Sequence, residues 1–121
     1  MENNLTQATK WLKFICDLEL PDKSIFKKHI VAGKITNLCT CGCNSFEFEI
    51  PSDADLDPLS QGNGLFFEAA FSTNKDDVID LLVFTDGQGY LSGVDIVYGF
   101  ANHALLPEGI IIHECIHSQS N

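Results

Sequence analysis

Residues 78–99, VIDLLVFTDGQGYLSGVDIVYG, decide the fold of this chain. Two runs rich in β-branched and aromatic residues flank the tetrapeptide DGQG (86–89), and glycine and aspartate are residues that tight turns prefer. This arrangement predicts a β-hairpin. The G-x-G of the turn does not indicate a phosphate-binding loop, because such a loop lies where a strand passes into a helix.

The segments before the hairpin predict two further strands. SFEFEI (45–50) alternates apolar and acidic side chains, as a half-buried strand requires. Its apolar face carries Phe46, Phe48 and Ile50, and its polar face carries Glu47 and Glu49. LFFEAAFS (65–72) is apolar on nearly both faces, which is typical of a strand in the interior of a sheet.

The loop between these two strands, PSDADLDPLSQGNG (51–64), is rich in proline, glycine and aspartate. Asp53, Asp55 and Asp57 alternate as calcium ligands do. The glycine at the sixth position and the glutamate at the twelfth position of a calcium-binding loop are missing, however. We therefore interpret the segment as a solvated loop.

The N-terminal segments predict two helices. In NNLTQATKWLKFICDLEL (3–20), apolar residues recur at three- and four-residue spacing, at Leu5, Ala8, Trp11, Leu12, Ile15 and Cys16. PDKSIFKKHIVAGK (21–34) begins at a proline suited to a first helical turn and ends at Gly33. Its apolar positions are Ile25, Phe26, Ile30 and Val31.

These elements predict an α+β domain in which an N-terminal helical hairpin packs on a mainly antiparallel β-sheet. No repeat, low-complexity segment or linker divides the chain. We therefore expect a single domain over residues 1–121, helical in 1–33 and mainly β in 34–121.

The sequence HECIH (113–117) matches the H-E-x-x-H pattern of zinc proteases, which requires a helix to place both histidines on one metal ion. Three isoleucines precede it and favour a strand. In a strand, His113 and His117 would be about 13 Å apart, too far for one zinc ion. A hydrolase of this type is therefore the least favoured alternative, and we predict that the protein is not an enzyme.

The segment LCTCGC (38–43) brings Cys39, Cys41 and Cys43 close together in sequence. A small zinc-binding structural module that uses these three residues is the second alternative. Zinc ligands usually come in pairs two to four residues apart. We instead expect cysteines that fill space without reacting, and no cofactor or metal.

The start of the chain has no basic segment followed by an apolar run, so we expect no secretory signal. Five cysteines are an odd number, and we expect them to be reduced. No apolar stretch approaches the length of a membrane span. These features predict a cytoplasmic protein.

The charge of the chain is strongly asymmetric. There are 17 acids against 7 bases, all of them lysine. Residues 1–34 hold six lysines and four acids, whereas residues 35–121 hold Lys75 and thirteen acids. An acidic body of this kind repels nucleic acids and anionic membranes and attracts basic partners.

Exposed acids on strands and loops are the expected partner contacts: Glu47, Glu49, Asp53, Asp55, Asp57, Asp76 and Asp77. Two other acids, Glu68 and Asp80, lie in strongly apolar strands. We expect strand alternation to turn them inward.

The segments CTCGCNSFEFEI (39–50) and DLLVFTDGQGYLSGVDIVYG (80–99) resemble a family of small bacterial proteins with the hairpin pattern LLxFxDGxLSxLEIVxY. Two positions depart from this pattern: Gln88-Gly89 lengthens the turn, and Asp95 stands where glutamate is usual. The family includes proteins that resemble immunity proteins of contact-dependent growth inhibition and related polymorphic toxin systems.

The resemblance implies a binding protein that neutralises a cognate toxin domain by covering its active site or an essential surface. Toxins of this class are often nucleases with basic phosphate-binding sites, so the implied partner is a basic, nuclease-like domain. The resemblance supplies no catalytic residues.

Overall fold

A computed structural model of the chain describes residues 5–18, 20, 22–38, 45–59, 64–73, 78–98 and 110–120. Two helices precede a six-stranded sheet in these ranges. The elements are α1 (Leu5–Cys16), α2 (Lys23–Ala32), β1 (Lys34–Leu38), β2 (Phe46–Glu49), β3 (Gly64–Thr73), β4 (Val78–Thr85), β5 (Leu91–Tyr98) and β6 (Ile110–Ser120). The predicted α+β fold is confirmed.

The strand order of the sheet is β1-β2-β5-β4-β3-β6, and every neighbouring pair is antiparallel. Strand β3 lies between β4 and β6, so its interior position is confirmed. Residues 110–120 form an edge strand on β3, which confirms the interpretation of GIIIHECIH as a strand.

The predicted hairpin joins β4 to β5. In its turn the backbone N–H of Gly89 donates to the carbonyl of Asp86 at 3.0 Å, and Gly89 has the positive φ of 83° that glycine tolerates. The Asp86 carboxylate accepts hydrogen bonds from the backbone N–H of Gln88 and of Tyr90. A side-chain acceptor of this kind is the reason aspartate favours turns.

Helix α1 packs through aromatic side chains onto β3. The rings of Trp11 and Phe14 meet edge to face at 5.5 Å, and Phe14 meets Phe71 of β3 in the same way at 5.6 Å. The predicted apolar face is confirmed at Ala8, Trp11, Leu12 and Ile15. Leu5 is 59% exposed, so its predicted burial is wrong: it is the first residue of the helix.

Helix α2 packs through Phe26, whose ring stacks on that of Phe66 at 6.3 Å. The predicted apolar role of Val31 is wrong, because this side chain is 86% exposed. The helix begins at Lys23, and Asp22 precedes it in the left-handed conformation with φ 52°. It ends at the predicted glycine, and the backbone N–H of Gly33 donates to the carbonyl of His29 at 2.9 Å.

The two faces of the sheet differ in cover. Alternation along β4 directs Ile79, Leu81 and Val83 to one side, where they are fully buried in the same cluster as the buried residues of both helices. We call this side the core face. Phe46 and Phe48 of β2 also belong to it, as the sequence predicts.

Candidate functional site

The opposite side of the sheet carries the candidate site, and we call it the open face. Cross-strand register defines its members. Along one row Asp95 lies opposite Leu82, and Leu82 lies opposite Glu68. The residues of the open face whose side chains the structure describes are Lys34, Asn37, Glu47, Glu49, Leu65, Glu68, Ala70, Asp80, Leu82, Phe84, Gly93, Asp95 and Val97.

Acids lie among the apolar side chains of the open face. Five acidic side chains stand on this face. Four of them are exposed, namely Glu47, Glu49, Asp80 and Asp95, and Glu68 is half-buried. Among the described residues of this face, Lys34 is the one cation, and it lies opposite Glu49 at the β1 edge. Asn37 donates a side-chain hydrogen bond to Glu47 and so orients that carboxylate.

Apolar side chains occupy the middle of the open face. Leu65 lies opposite Phe84 across the β3–β4 ladder, and both are half-buried, as is Leu82. Val97 is 47% exposed on the neighbouring strand β5. Because these half-buried and exposed apolar side chains lie among acids and would lose further contact with water on binding a partner, this strip is a candidate contact surface.

The acids of the loop before β3 form a second exposed group. Asp53, Asp55 and Asp57 are all exposed, as predicted. The loop is fixed at two points: the backbone N–H of Leu59 donates to the carbonyl of Gly89 at 2.7 Å, and the Tyr90 hydroxyl donates to the carbonyl of Leu56 at 3.3 Å.

The predicted contact residues are therefore divided between two elements. Glu47 and Glu49 stand on the open face, whereas the three loop acids are held beside the β4–β5 turn. Asp76 and Asp77 lie outside the described residues.

The expectation that Asp80 turns inward is wrong. Its neighbours Ile79 and Leu81 take the core face, so alternation places Asp80 on the open face, where it is exposed. Glu68 also stands on the open face, half-buried opposite Leu82. Asp95 was not among the predicted contacts, although the alternation of Val94 and Ile96 around it indicates an outward side chain.

His29 is a fully buried residue to which the sequence assigned no role. Its Nε2–H donates to the carbonyl of Asp57 at 2.7 Å, and its Nδ1 accepts from the backbone N–H of Leu91 at 3.2 Å. A carbonyl can only accept and an amide N–H can only donate, so these partners fix the neutral Nε2–H tautomer. His29 thereby joins α2 to the acidic loop and to the start of β5.

The structure describes the backbone of the proposed zinc-protease motif but not the three cysteines of the proposed zinc module. Residues 113–117 lie in β6 rather than in a helix, so the helical placement of both histidines that the zinc-protease motif requires is not present. Cys39, Cys41 and Cys43 lie outside the described residues. Where side chains are described, no three histidine, cysteine, aspartate or glutamate residues form a group that would hold a metal ion.

Cys16 is the cysteine whose side chain the structure describes, and it is a free thiol at the end of α1. Burial raises the pKa of the Cys16 thiol, because the thiolate is poorly solvated there. A raised pKa makes this thiol a weak nucleophile near neutral pH.

Lysines are concentrated on the helices, and five acids lie on the open face. The helices pack on the core face, and five lysines lie on them: Lys10, Lys13, Lys23, Lys27 and Lys28. The open face on the other side of the sheet is acidic. Acids also lie outside the open face: Asp17 and Asp22 flank the helices, and the acidic loop is joined to α2 through His29. Neither described helix is long and apolar enough to cross a membrane.

No protein-family model, curated protein sequence or solved structure is significantly similar to this chain. The resemblance to immunity proteins therefore depends on the quoted segments of sequence alone.

Proposed function

We propose that this protein is a cytoplasmic immunity protein, which binds a basic toxin domain and neutralises it by covering its active site or an essential surface. The expected toxin is a nuclease, because the active site of a nuclease binds phosphates and is therefore basic, which suits an acidic partner. On this account the protein inhibits by contact and catalyses no reaction itself. The resemblance of residues 39–50 and 80–99 to such proteins is the first support.

The concentration of acids on the open face is the observation that carries the proposal. Five acids stand on one side of the sheet, and five lysines stand on the helices that cover the other side. Such a distribution attracts a basic partner to the open face and raises the rate of encounter in the orientation that leads to binding. A protein whose acids merely maintain solubility has no need of this arrangement.

Co-expression tests the proposal. The candidate toxin, taken as the product of the gene immediately upstream of this chain, is produced in cells with and without it. We expect survival only in its presence, and a complex of the two proteins in gel filtration. Equal killing in both cultures, with separate elution of the two proteins, would contradict the proposal.

A further inference from the structure

We propose that the open face is itself the docking surface, and that its apolar strip, Leu65, Leu82, Phe84 and Val97, is the anchor of the complex. The partner would be a basic protein domain whose contact patch has an apolar side chain surrounded by lysine and arginine. This inference rests on the proposed function and adds to it a binding surface and the chemistry of the partner's patch.

The arrangement of the open face is that of a protein-binding site. Productive interfaces have an apolar centre that becomes fully buried and a polar rim that excludes water. Here Phe84 and Leu65 form a cross-strand pair. Glu68 and Asp95 lie on either side of Leu82 in the next row of the same face, and Asp80 lies opposite Val97. The centre would supply the slow dissociation, and the rim would supply fast, oriented association.

The charge of the rim decides between possible occupants. Nucleic acids and anionic membranes would bring phosphates against five carboxylates, with Lys34 as the cation among the described residues of the face. A second copy of the chain would bring the same acids against one another. Like charges brought together in this way oppose association. A basic protein surface is the occupant whose charge complements the rim.

The two valines at positions 31 and 97 provide a matched test. Val97 is 47% exposed on the open face, and Val31 is 86% exposed on helix α2. Val97→Lys and Val31→Lys change the net charge equally and put the new cation on opposite layers. The probe is the candidate toxin taken from the gene immediately upstream, and the dissociation constant is measured by calorimetry. We expect Val97→Lys to raise it about tenfold or more and Val31→Lys to leave it within about twofold.

A second variant tests the anchor. Phe84→Ala removes the largest apolar side chain of the strip, and we expect the dissociation rate to rise about 10- to 100-fold with a small change in the association rate. Phe84 is half-buried, so the folding of this variant must be checked. Near-ultraviolet circular dichroism makes this check, because it reports the packing of aromatic side chains. If it does not fold, the exposed Val97 still decides the outcome.

The outcomes separate this inference from the proposed function. If the wild-type chain neutralises the toxin but Val97→Lys and Val31→Lys bind it alike, the open face is not the docking surface and the proposed function stands. An unchanged dissociation rate for folded Phe84→Ala overturns the anchor. A wild-type dimer that Val97→Lys dissociates would identify a second copy as the occupant and overturn the inference. If the wild-type chain binds no toxin, the proposed function itself fails.

Discussion

Asp95 lies directly opposite Leu82 in the β4–β5 ladder, and both side chains stand on the face of the sheet that lies away from the helices. The pair combines on neighbouring strands the two kinds of side chain that alternate on the open face, apolar and acidic. Leu82 is half-buried and Asp95 is exposed. A partner that covers this pair must offer an apolar contact and a positive charge a few ångströms apart.

The acids of the open face are expected to govern the rate of association. Replacing Glu47 by Gln and both Asp80 and Asp95 by Asn keeps the shape of these side chains and removes three charges. We expect binding to the toxin domain to slow about tenfold at low salt, and its salt dependence to flatten, with little change in dissociation. Stopped-flow measurements over a range of ionic strength test this prediction.

The loop acids provide the control for that experiment. Replacing Asp53, Asp55 and Asp57 by Asn removes the same number of charges from a different element. If the toxin docks on the open face, the loop variant should associate faster than the open-face variant at every ionic strength. Equal slowing by both variants would mean that net charge alone, and not the open face, steers the partner.

The buried ring of His29 is expected to stabilise the fold. His29→Ala leaves the backbone N–H of Leu91 without its acceptor and opens a cavity between α2 and β5. We expect the free energy of unfolding to fall by about 2–4 kcal/mol, measured by urea denaturation. Lys28→Ala, at the exposed neighbouring position, should change it by less than about 0.5 kcal/mol. Equal midpoints for the two variants would show that the buried ring contributes nothing.

Gly33 is expected to be required for the close approach of the end of α2 to β2. A Cβ atom at this position would come within 2.6 Å of the carbonyl oxygen of Glu49. Gly33→Ala must therefore displace backbone, and we expect it to lower the free energy of unfolding by about 1–3 kcal/mol. Gly87→Ala is the matched control, because a Cβ there would have open space around it. A Gly33→Ala variant as stable as Gly87→Ala would contradict the close approach.

Cys16 is expected to react slowly and in a pH-dependent way. Burial raises the pKa of its thiol in the folded state, so less thiolate is present at neutral pH than in the unfolded chain. Modification by a thiol reagent, located by peptide mass spectrometry, should be slower in the folded protein and should accelerate as the pH rises.

The same shift has a consequence for stability. The folded-state pKa of Cys16 lies above its unfolded value. The contribution of the thiol to the free energy of unfolding is therefore fully present below the unfolded pKa. It is lost as the pH rises through the folded pKa. Cys16→Ser should therefore reduce the loss of stability at alkaline pH. Equal alkaline profiles for both proteins would exclude this role.

Much of the fold could be predicted from local patterns. The turn at 86–89, the alternation of 45–50 and the glycine at the end of α2 each have a local physical cause, and all three are confirmed. The exposure of Leu5 could not be predicted in this way. Helical periodicity indicates which face of the helix is apolar, but not how far along the helix that face packs against the sheet.

The candidate site could be predicted only in part. Glu47 and Glu49 are exposed as expected, because their strand has one apolar face. Strand β4 is apolar at Leu82 and Phe84 as well as on its core face, so the sequence does not say which side the helices cover. Recognition of the open face required the strand order, which pairs segments far apart in the chain. The role of His29 depends on contacts with Leu91 that no local pattern indicates.

The most direct test of the account is to mix the purified chain in equal amounts with the purified candidate toxin from the upstream gene. Residual toxin activity is then measured, together with the mass of the complex by light scattering. The account predicts a one-to-one complex and loss of toxin activity, both weakened by high salt. Full toxin activity, with the two proteins eluting separately at low salt, would contradict it.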